Sequence, residues 1–150
     1  MVFWIKSNIN NVICWSRAGS IWPLTFGLAC CAIEMMHSAM SRYDFDRFGV
    51  ILRAAPKHAD TLIISGTVTK KMLPMIYNLF ITLNEPKWII SMGSCSNGGG
   101  CYYYSQTIIC GVDALIPCDV FIPGCPPSAE TLIFGILQLQ LKFNLYLIYF

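Results

Sequence analysis

The sequence predicts an α/β domain with a parallel sheet flanked by helices, because two kinds of segment alternate along it. Three short runs are apolar at nearly every position, which is typical of strands covered on both faces. These runs are TLIISG (61–66), KWIISMG (87–93) and CDVFIP (118–123). Helical patterns lie between and after the runs, so the strands are expected to run parallel to one another.

The predicted helices begin at recognisable signals. Thr69 and Ser128 each precede a helical pattern whose first backbone N–H groups their hydroxyls can cap. Helices are predicted over residues 29–41, 70–83 and 129–143. GVILR (49–53) is a weaker candidate for a fourth strand.

The 150 residues are interpreted as one domain, because no repeat or low-complexity linker divides them. The domain is predicted over residues 15–140, after an N-terminal tail (1–14) and before an apolar C-terminal tail (141–150). The C-terminal tail is expected to dock on a partner or at a membrane surface.

The composition indicates a peripheral subunit of a larger assembly. The chain is 55% hydrophobic and only 12% charged, whereas about 25% is usual for a globular domain. Such a surface is expected to be covered largely by other proteins. The apolar run at 21–33 is shorter than the roughly 20 residues that span a membrane. A net charge of +2 without a basic run gives no basis for binding nucleic acid.

The cysteines are expected to be reduced thiols. The first residues resemble neither a secretory signal nor a transit peptide, so disulfides are not indicated for the eight cysteines. A protein of an organelle with this beginning would be made there or be trimmed beforehand.

Two cysteines follow predicted strands at the same distance. Cys95 and Cys125 each lie two residues past a strand end, near Gly93 and Pro123. The carboxyl ends of parallel strands meet at one edge of the sheet, where ligands of open α/β sheets bind. The glycines around Cys95 allow the backbone to approach an inorganic group closely.

The adjacent pair Cys30 and Cys31 is harder to interpret from the residues alone. Neighbouring side chains point in different directions in both helices and strands. Spacing therefore supports equally a site that uses both thiols and a site beside one buried structural thiol. A zinc site is also open, since zinc accepts four thiolates, although the sequence contains no CxxC pair. The remaining four cysteines are interpreted as packing residues: Cys14, Cys101, Cys110 and Cys118.

Four motifs resemble a known family, the small iron–sulfur subunit of respiratory complex I. They are TFGLACCAIEMMH (25–37), RYDFDRFGV (42–50), WIISMGSCSNGGG (88–100) and VFIPGCPPSAETLIFGILQLQ (120–140). This subunit is called PSST in mitochondria and is the B subunit of the bacterial NADH–quinone oxidoreductase. The resemblance covers about residues 15–140 and implies a flavodoxin-like α/β core with the cluster at the C-terminal edge of the strands.

The resemblance implies an electron-transfer role in the proton-translocating NADH:ubiquinone reductase, with no catalysis by the chain alone. One [4Fe–4S] cluster, the terminal one that reduces ubiquinone, would be bound by Cys30, Cys31, Cys95 and Cys125. The implied partners are the 49-kDa-type large subunit, the ferredoxin-like (8Fe–8S) subunit and the membrane-arm subunits. The implied location is the matrix side of the mitochondrial inner membrane.

The resemblance also implies residues for the quinone pocket or its interface, namely Met36, Arg53, Asp44 and Asp60. Glu34, His37 and Glu85 fall in matching motifs as well.

The sequence departs from the family at CYYYS (101–105), where the family has YYHYS, and at CGVD (110–113), where it has RGCD. The second departure removes an arginine near the cluster loop. Two alternatives stay open: a zinc-stabilised structural subunit of a membrane-associated complex, and a nucleotide-binding protein. The second lacks support, because neither the GxGxxG nor the P-loop pattern occurs.

Overall fold

The fold is built on a parallel sheet of four strands in the order β1-β2-β3-β4. The computed structural model describes the backbone of residues 2–149 and the side chains of residue 9 and residues 11–143. The strands are β1 (Pro23–Gly27), β2 (Thr61–Ser65), β3 (Trp88–Met92) and β4 (Val120–Ile122). The α/β fold class predicted from the sequence is therefore confirmed.

Helices cover the sheet and connect its strands. The α-helices are α1 (Val2–Ala18), α2 (Cys31–Ala39), α3 (Leu73–Thr82), α4 (Ser94–Gly98) and α5 (Ala129–Tyr149). Short 3₁₀ turns span Phe45–Phe48, Pro56–His58, Lys70–Met72, Gly100–Tyr102 and Val112–Ala114.

The sheet is buried on both faces, which explains why its strands read as continuous apolar runs. In β2, Ile63 belongs to the core on one face, while Leu62 and Ile64 belong to the core on the other. Helices α2 and α5 pack on the Ile63 face through Met35 and Leu132, among other residues. Helix α3 contributes Ile76 to the opposite core.

The three strands predicted from the apolar runs are confirmed as β2, β3 and β4, but β1 was not predicted. Its sequence, PLTFG, is short and begins with a residue that has no backbone N–H. The candidate strand at 49–53 makes only isolated parallel bridges to β1, at Ile21–Val50 and Leu24–Arg53. With that segment beyond β1, the spatial order matches the 2-1-3-4-5 order of flavodoxin-like folds.

The helix predictions are confirmed with shifts at their ends. Thr69 makes no side-chain cap and precedes a 3₁₀ turn, and α3 begins only at Leu73. Pro74 sits in the first turn of α3, where its missing N–H is tolerated. Ser128 does cap α5, since the backbone N–H of Thr131 donates to Ser128 Oγ at 3.4 Å.

The predicted tails are largely helical. Helix α1 includes most of residues 1–14, and α5 continues to Tyr149 because no glycine or proline interrupts residues 136–149. The expected docking of the tail at 141–150 concerns side chains that lie mostly outside the described residues. Within the described part of the chain, no helix has the length and apolarity needed to cross a membrane.

Candidate metal centre

Three loops at the carboxyl edge of the sheet bring four cysteines together. Cys30 and Cys31 follow β1, where α2 begins. Cys95 lies in α4, directly after β3, and Cys125 follows β4. The Cys31 thiol interacts electrostatically with the other three, so the four candidate ligands lie near one another at this edge.

Hydrogen bonds join the loop after β3 to the loop after β4. The backbone N–H of Ser94 donates to the carbonyl oxygen of Gly124 at 2.8 Å, and Ser94 Oγ donates to the same oxygen at 3.0 Å. Asn97 Nδ2 donates to the carbonyl oxygen of Ile122 at 3.0 Å. These hydrogen bonds therefore link the loop that carries Cys95 to the loop that carries Cys125.

Hydrogen bonds between buried polar side chains join α4 to β3. Ser91 Oγ donates to Asn97 Oδ1 at 2.6 Å and lies 2.8 Å from Ser96 Oγ. Ser91 and Ser96 are fully buried, and buried hydroxyls are stable only when they are hydrogen-bonded. This arrangement fixes the orientation of the short helix that carries Cys95.

Gly93 allows the first and second cysteine loops to touch. Its φ is +97°, in the region that glycine adopts readily. A Cβ atom at this position would lie 2.6 Å from Cys31 Sγ. Because only a residue without a side chain fits, the thiol of Cys31 packs directly on the backbone at the end of β3.

The four thiols differ in their exposure. Cys31 and Cys95 are only 3% and 7% exposed, whereas Cys30 and Cys125 are exposed. Burial, and then the neighbouring Cys30, Cys95 and Cys125, raise the pKa of Cys31 to about 11. The pKa of Cys125 is raised as well, chiefly by Cys101 and then by burial. Several thiolates here would repel one another, so a positively charged inorganic group would stabilise their deprotonated form.

The donor set fits an iron–sulfur cluster, which binds through thiolate ligands and whose potential responds to hydrogen bonds at the sulfurs. Four thiols from three loops lie near one another at the sheet edge, and a glycine backbone lies against one of them. Among the described residues, no three His, Cys, Asp or Glu side chains converge closely enough to hold one metal ion.

Cys101 differs from its interpretation as a packing residue. It is exposed and lies near the site, where it is the largest cause of the raised pKa of Cys125. Its position in the sequence, next to an aromatic stretch, indicated packing beside the site and not an exposed thiol.

The other three cysteines have different surroundings. Cys118 lies just before β4 and packs against the core, and burial raises its pKa to about 11, with smaller contributions from Asp113 and Asp119. Cys110 is exposed and donates to the carbonyl oxygen of Tyr103 at 3.1 Å. Cys14 is half-buried on α1.

Three of the proposed pocket residues lie on the chain that leads from Cys31 back to the sheet. Met36 is 59% exposed on α2, and Asp44 is exposed with a left-handed φ of 51°. The guanidinium of Arg53 lies 4.2 Å from the ring centre of Trp22. Its Nε is buried without a hydrogen-bond partner among the described residues.

Asp60 lies at the opposite edge of the sheet from the cysteines. It accepts hydrogen bonds from the backbone N–H of Trp22 at 2.9 Å and from Thr61 Oγ1 at 3.0 Å. Burial raises its pKa above 3.8, and these hydrogen bonds oppose the shift.

Ionisable residues next to α2 form a small surface network. Glu34 Oε2 lies 3.5 Å from His37 Nδ1. The His37 ring packs edge-on against the ring of Tyr43, and the two ring centres are 5.0 Å apart. Tyr43 donates to Glu130 at 2.6 Å, which raises the pKa of Tyr43 and lowers that of Glu130. This last pair joins the loop after α2 to the start of α5 and was not predicted from the sequence. Glu85 is instead paired with Lys87 at 2.8 Å on the surface.

Comparison with known proteins agrees with this architecture. Residues 29–139 match the family described as NADH ubiquinone oxidoreductase, 20 Kd subunit. The chain is also similar to a chain of the membrane-bound sulfane sulfur reductase, an archaeal respiratory membrane complex. That similarity has a TM-score of 0.85 at 34% sequence identity and covers 89% of this chain and 75% of the archaeal one. This chain therefore belongs to the family of the NADH ubiquinone oxidoreductase 20 Kd subunit, an oxidoreductase family of multisubunit respiratory membrane complexes.

Proposed function

We propose that this chain is the electron-transfer subunit of a proton-pumping NADH:ubiquinone oxidoreductase and holds one [4Fe–4S] cluster on Cys30, Cys31, Cys95 and Cys125. The observation that carries the proposal is the meeting of four thiols from three loops at one edge of the sheet. When bound, such a cluster accepts and releases single electrons at a potential set by its surroundings.

The exposure of the thiols suggests how the site is oriented in the complex. Cys31 and Cys95 face the core, while Cys30 and Cys125 face outward. The chain therefore insulates the inner side of the site and leaves its outer side open. We propose that the 49-kDa-type large subunit covers the outer side, which excludes water from the site.

The quinone pocket is proposed to lie against α2 and the segment that follows it. Met36 offers an exposed, adaptable apolar side chain, and Asp44 lies farther along the same segment. Arg53 brings a buried N–H that no described residue accepts, and a bound oxygen atom would satisfy it. Asp60 is at the other edge of the sheet, where a contact with a partner subunit fits its position better than contact with the quinone.

The remaining partners are proposed from the family and supported by the apolar surface. The ferredoxin-like (8Fe–8S) subunit would deliver electrons, and membrane-arm subunits would carry the chain on the matrix side of the mitochondrial inner membrane. Large apolar side chains near the site are exposed, including Ile33 and Met40 on or beside α2 and Tyr104, which is 96% exposed. Exposed apolar surface of this kind is typical of contacts with other proteins.

The test is low-temperature electron paramagnetic resonance of the intact, NADH-reduced complex, combined with iron and zinc analysis. Cys125→Ala is expected to abolish a [4Fe–4S] signal while the complex still assembles. Cys110→Ala is the matched control, since it removes an exposed cysteine whose thiol bonds to a carbonyl oxygen instead. An unchanged signal in Cys125→Ala, or zinc in place of iron, would contradict the proposal.

A second candidate is the same electron-transfer role in a related respiratory complex with another terminal acceptor. The similarity to a chain of the archaeal sulfane sulfur reductase favours it. The purified complex can be supplied with electrons and assayed with a quinone and with a sulfane sulfur compound. Reduction of the sulfur compound alone would select this second candidate.

A further inference from the structure

Asp44, in the segment that follows α2, has a strained backbone. Its φ is +51°, in the left-handed region that residues other than glycine adopt uncommonly. Within the described part of the chain, it is the one non-glycine residue with a positive φ. Such a conformation persists only where the surrounding structure imposes it, and it is frequent at ligand sites.

Phe45 holds the segment on one side of Asp44. Its side chain is 1% exposed and belongs to the core on the face of the sheet that α2 and α5 cover. The backbone N–H of Asp44 itself donates to the carbonyl oxygen of Met40 at 2.9 Å. The chain is therefore fixed by core packing immediately after Asp44 and by a turn before it.

Tyr43 holds the segment on the other side. Its hydroxyl donates to Glu130 Oε1 at 2.6 Å, and hydrogen bonds to a charged acceptor are the stronger ones. Its ring packs against the ring of His37 on α2, and the guanidinium carbon of Arg42 lies 5.6 Å from its ring centre. Tyr43 therefore ties the segment both to α2 and to the start of α5.

The turn that follows does not explain the strain at Asp44. Asp44 directly precedes the 3₁₀ turn Phe45–Phe48, but its side chain makes no capping hydrogen bond to that turn. The side chain is exposed. Because the strained residue gains no local hydrogen bond from its side chain, a role in binding accounts for its conformation better than a role in stability.

We propose that Tyr43 is a positioning residue for the quinone, which holds Asp44 in its binding conformation through the hydrogen bond to Glu130. The inference rests on the proposed function, in which Met36 and Asp44 belong to the quinone pocket. Without this bond, the segment relaxes toward unstrained conformations and is competent to bind for only part of the time. The apparent affinity for the quinone then falls by that fraction.

The test is the steady-state reduction of a short-chain ubiquinone analogue by the intact complex. Tyr43→Phe keeps the ring and removes the donor. It is expected to raise the KM for the quinone about fivefold while kcat changes less than about twofold. Iron content and the cluster signal should match those of the parent. Tyr77→Phe is the matched control, since it changes an exposed tyrosine on α3, and its KM should equal that of the parent.

Variants of Glu130 test the same hydrogen bond from its acceptor. Glu130→Gln keeps an acceptor oxygen and is expected to raise the KM less than Tyr43→Phe does. Glu130→Ala is expected to match Tyr43→Phe. The double variant Tyr43→Phe with Glu130→Ala should be no worse than either single variant, because both substitutions remove one shared bond.

Each outcome decides the inference. An unchanged KM in Tyr43→Phe or in Glu130→Ala, at full iron content, overturns it and leaves the proposed function standing. Additive effects in the double variant overturn it as well. Loss of the cluster signal in Tyr43→Phe would show that the tyrosine supports the metal centre, and would overturn its role in quinone binding. A parent complex that reduces no quinone overturns the proposed function and this inference together.

Discussion

The two edges of the sheet carry polar residues for different purposes. At the amino edge, carboxylates bond to the backbone of neighbouring strands. Asp60 accepts from Trp22 N at the start of β1, and Asp119 Oδ2 accepts from Ile89 N near the start of β3 at 3.0 Å. At the carboxyl edge, the thiols interact electrostatically, and two of them are exposed.

The residues at the two edges have different roles. The carboxylates at the amino edge stabilise the fold, whereas the thiols at the carboxyl edge are available to bind a ligand. A carboxylate that accepts two N–H or O–H donors has its hydrogen-bonding needs met within the chain. A group of thiols that raise one another's pKa is instead unfavourable in its charged form until a cation joins it. Substitutions at the amino edge should therefore change stability, and substitutions at the carboxyl edge should change cofactor content.

The largest effect is expected for Gly93→Ala at the carboxyl edge. The added Cβ would lie 2.6 Å from Cys31 Sγ, at a φ of +97° that alanine rarely adopts. The thiol would have to move, and the strained backbone adds about 1–3 kcal/mol of destabilisation. We expect nearly complete loss of iron from the isolated complex, measured by metal analysis.

Gly98→Ala is the matched control for this prediction. A Cβ atom at Gly98 meets nothing within 4 Å, and alanine favours the helical conformation. Iron content should be unchanged. Equal iron in the Gly93 and Gly98 variants would show that Cys31 does not need its contact with the backbone of Gly93.

The sequence predicted the interior of this fold better than its irregular parts. β2 and β3 are apolar at nearly every position because both faces of the sheet are covered. Their sequences therefore indicate buried strands clearly. β1 was missed because five residues that begin with proline and end with glycine carry little periodicity. Its pairing to β2 depends on contacts distant in sequence, which no local pattern contains.

The same limit applies to the site. Cys95 and Cys125 could be predicted because each follows a strand end, and the topology alone brings such positions to one edge. The joint use of Cys30 and Cys31 came from the family resemblance and not from spacing. The exposure of the Cys101 thiol could not be predicted, since it depends on how the turn that begins at Gly100 packs against the start of α4.

An intermediate effect is expected for Asp60→Ala at the amino edge. The substitution leaves the backbone N–H of Trp22 and the hydroxyl of Thr61 without their acceptor, at about 1–2 kcal/mol for a partly buried donor. Hydrogen exchange of the peptide containing Trp22, measured on the intact complex, should accelerate about tenfold or more. Iron content should not change, and a loss of iron would break the distinction between the two edges.

Asp60→Asn sharpens the same prediction through its pH dependence. Burial raises the pKa of Asp60 above 3.8, so the folded state binds the proton more tightly than the unfolded state does. In the parent protein, the peptide that contains Trp22 should therefore lose protection from hydrogen exchange as the pH rises from about 4 through the raised pKa of Asp60. Asn keeps the acceptor oxygen and cannot ionise, so its protection, corrected for intrinsic exchange, should be flat over this range. A parallel decline in both proteins would contradict the assignment to Asp60.

The smallest effect is expected for Lys142→Gln, which tests the other carboxylate of the amino edge. Lys142 Nζ lies 2.6 Å from Asp119 Oδ1, but both side chains are partly exposed, at 35% and 21%. Such pairs contribute about 0–1 kcal/mol, and salt weakens them. Because Asp119 Oδ2 still accepts from Ile89 N, exchange of the Ile89 amide should rise less than fivefold at low salt and approach the parent value at high salt. A larger, salt-independent change would mean that the ion pair, and not the carboxylate–backbone bond, holds β4 against β3.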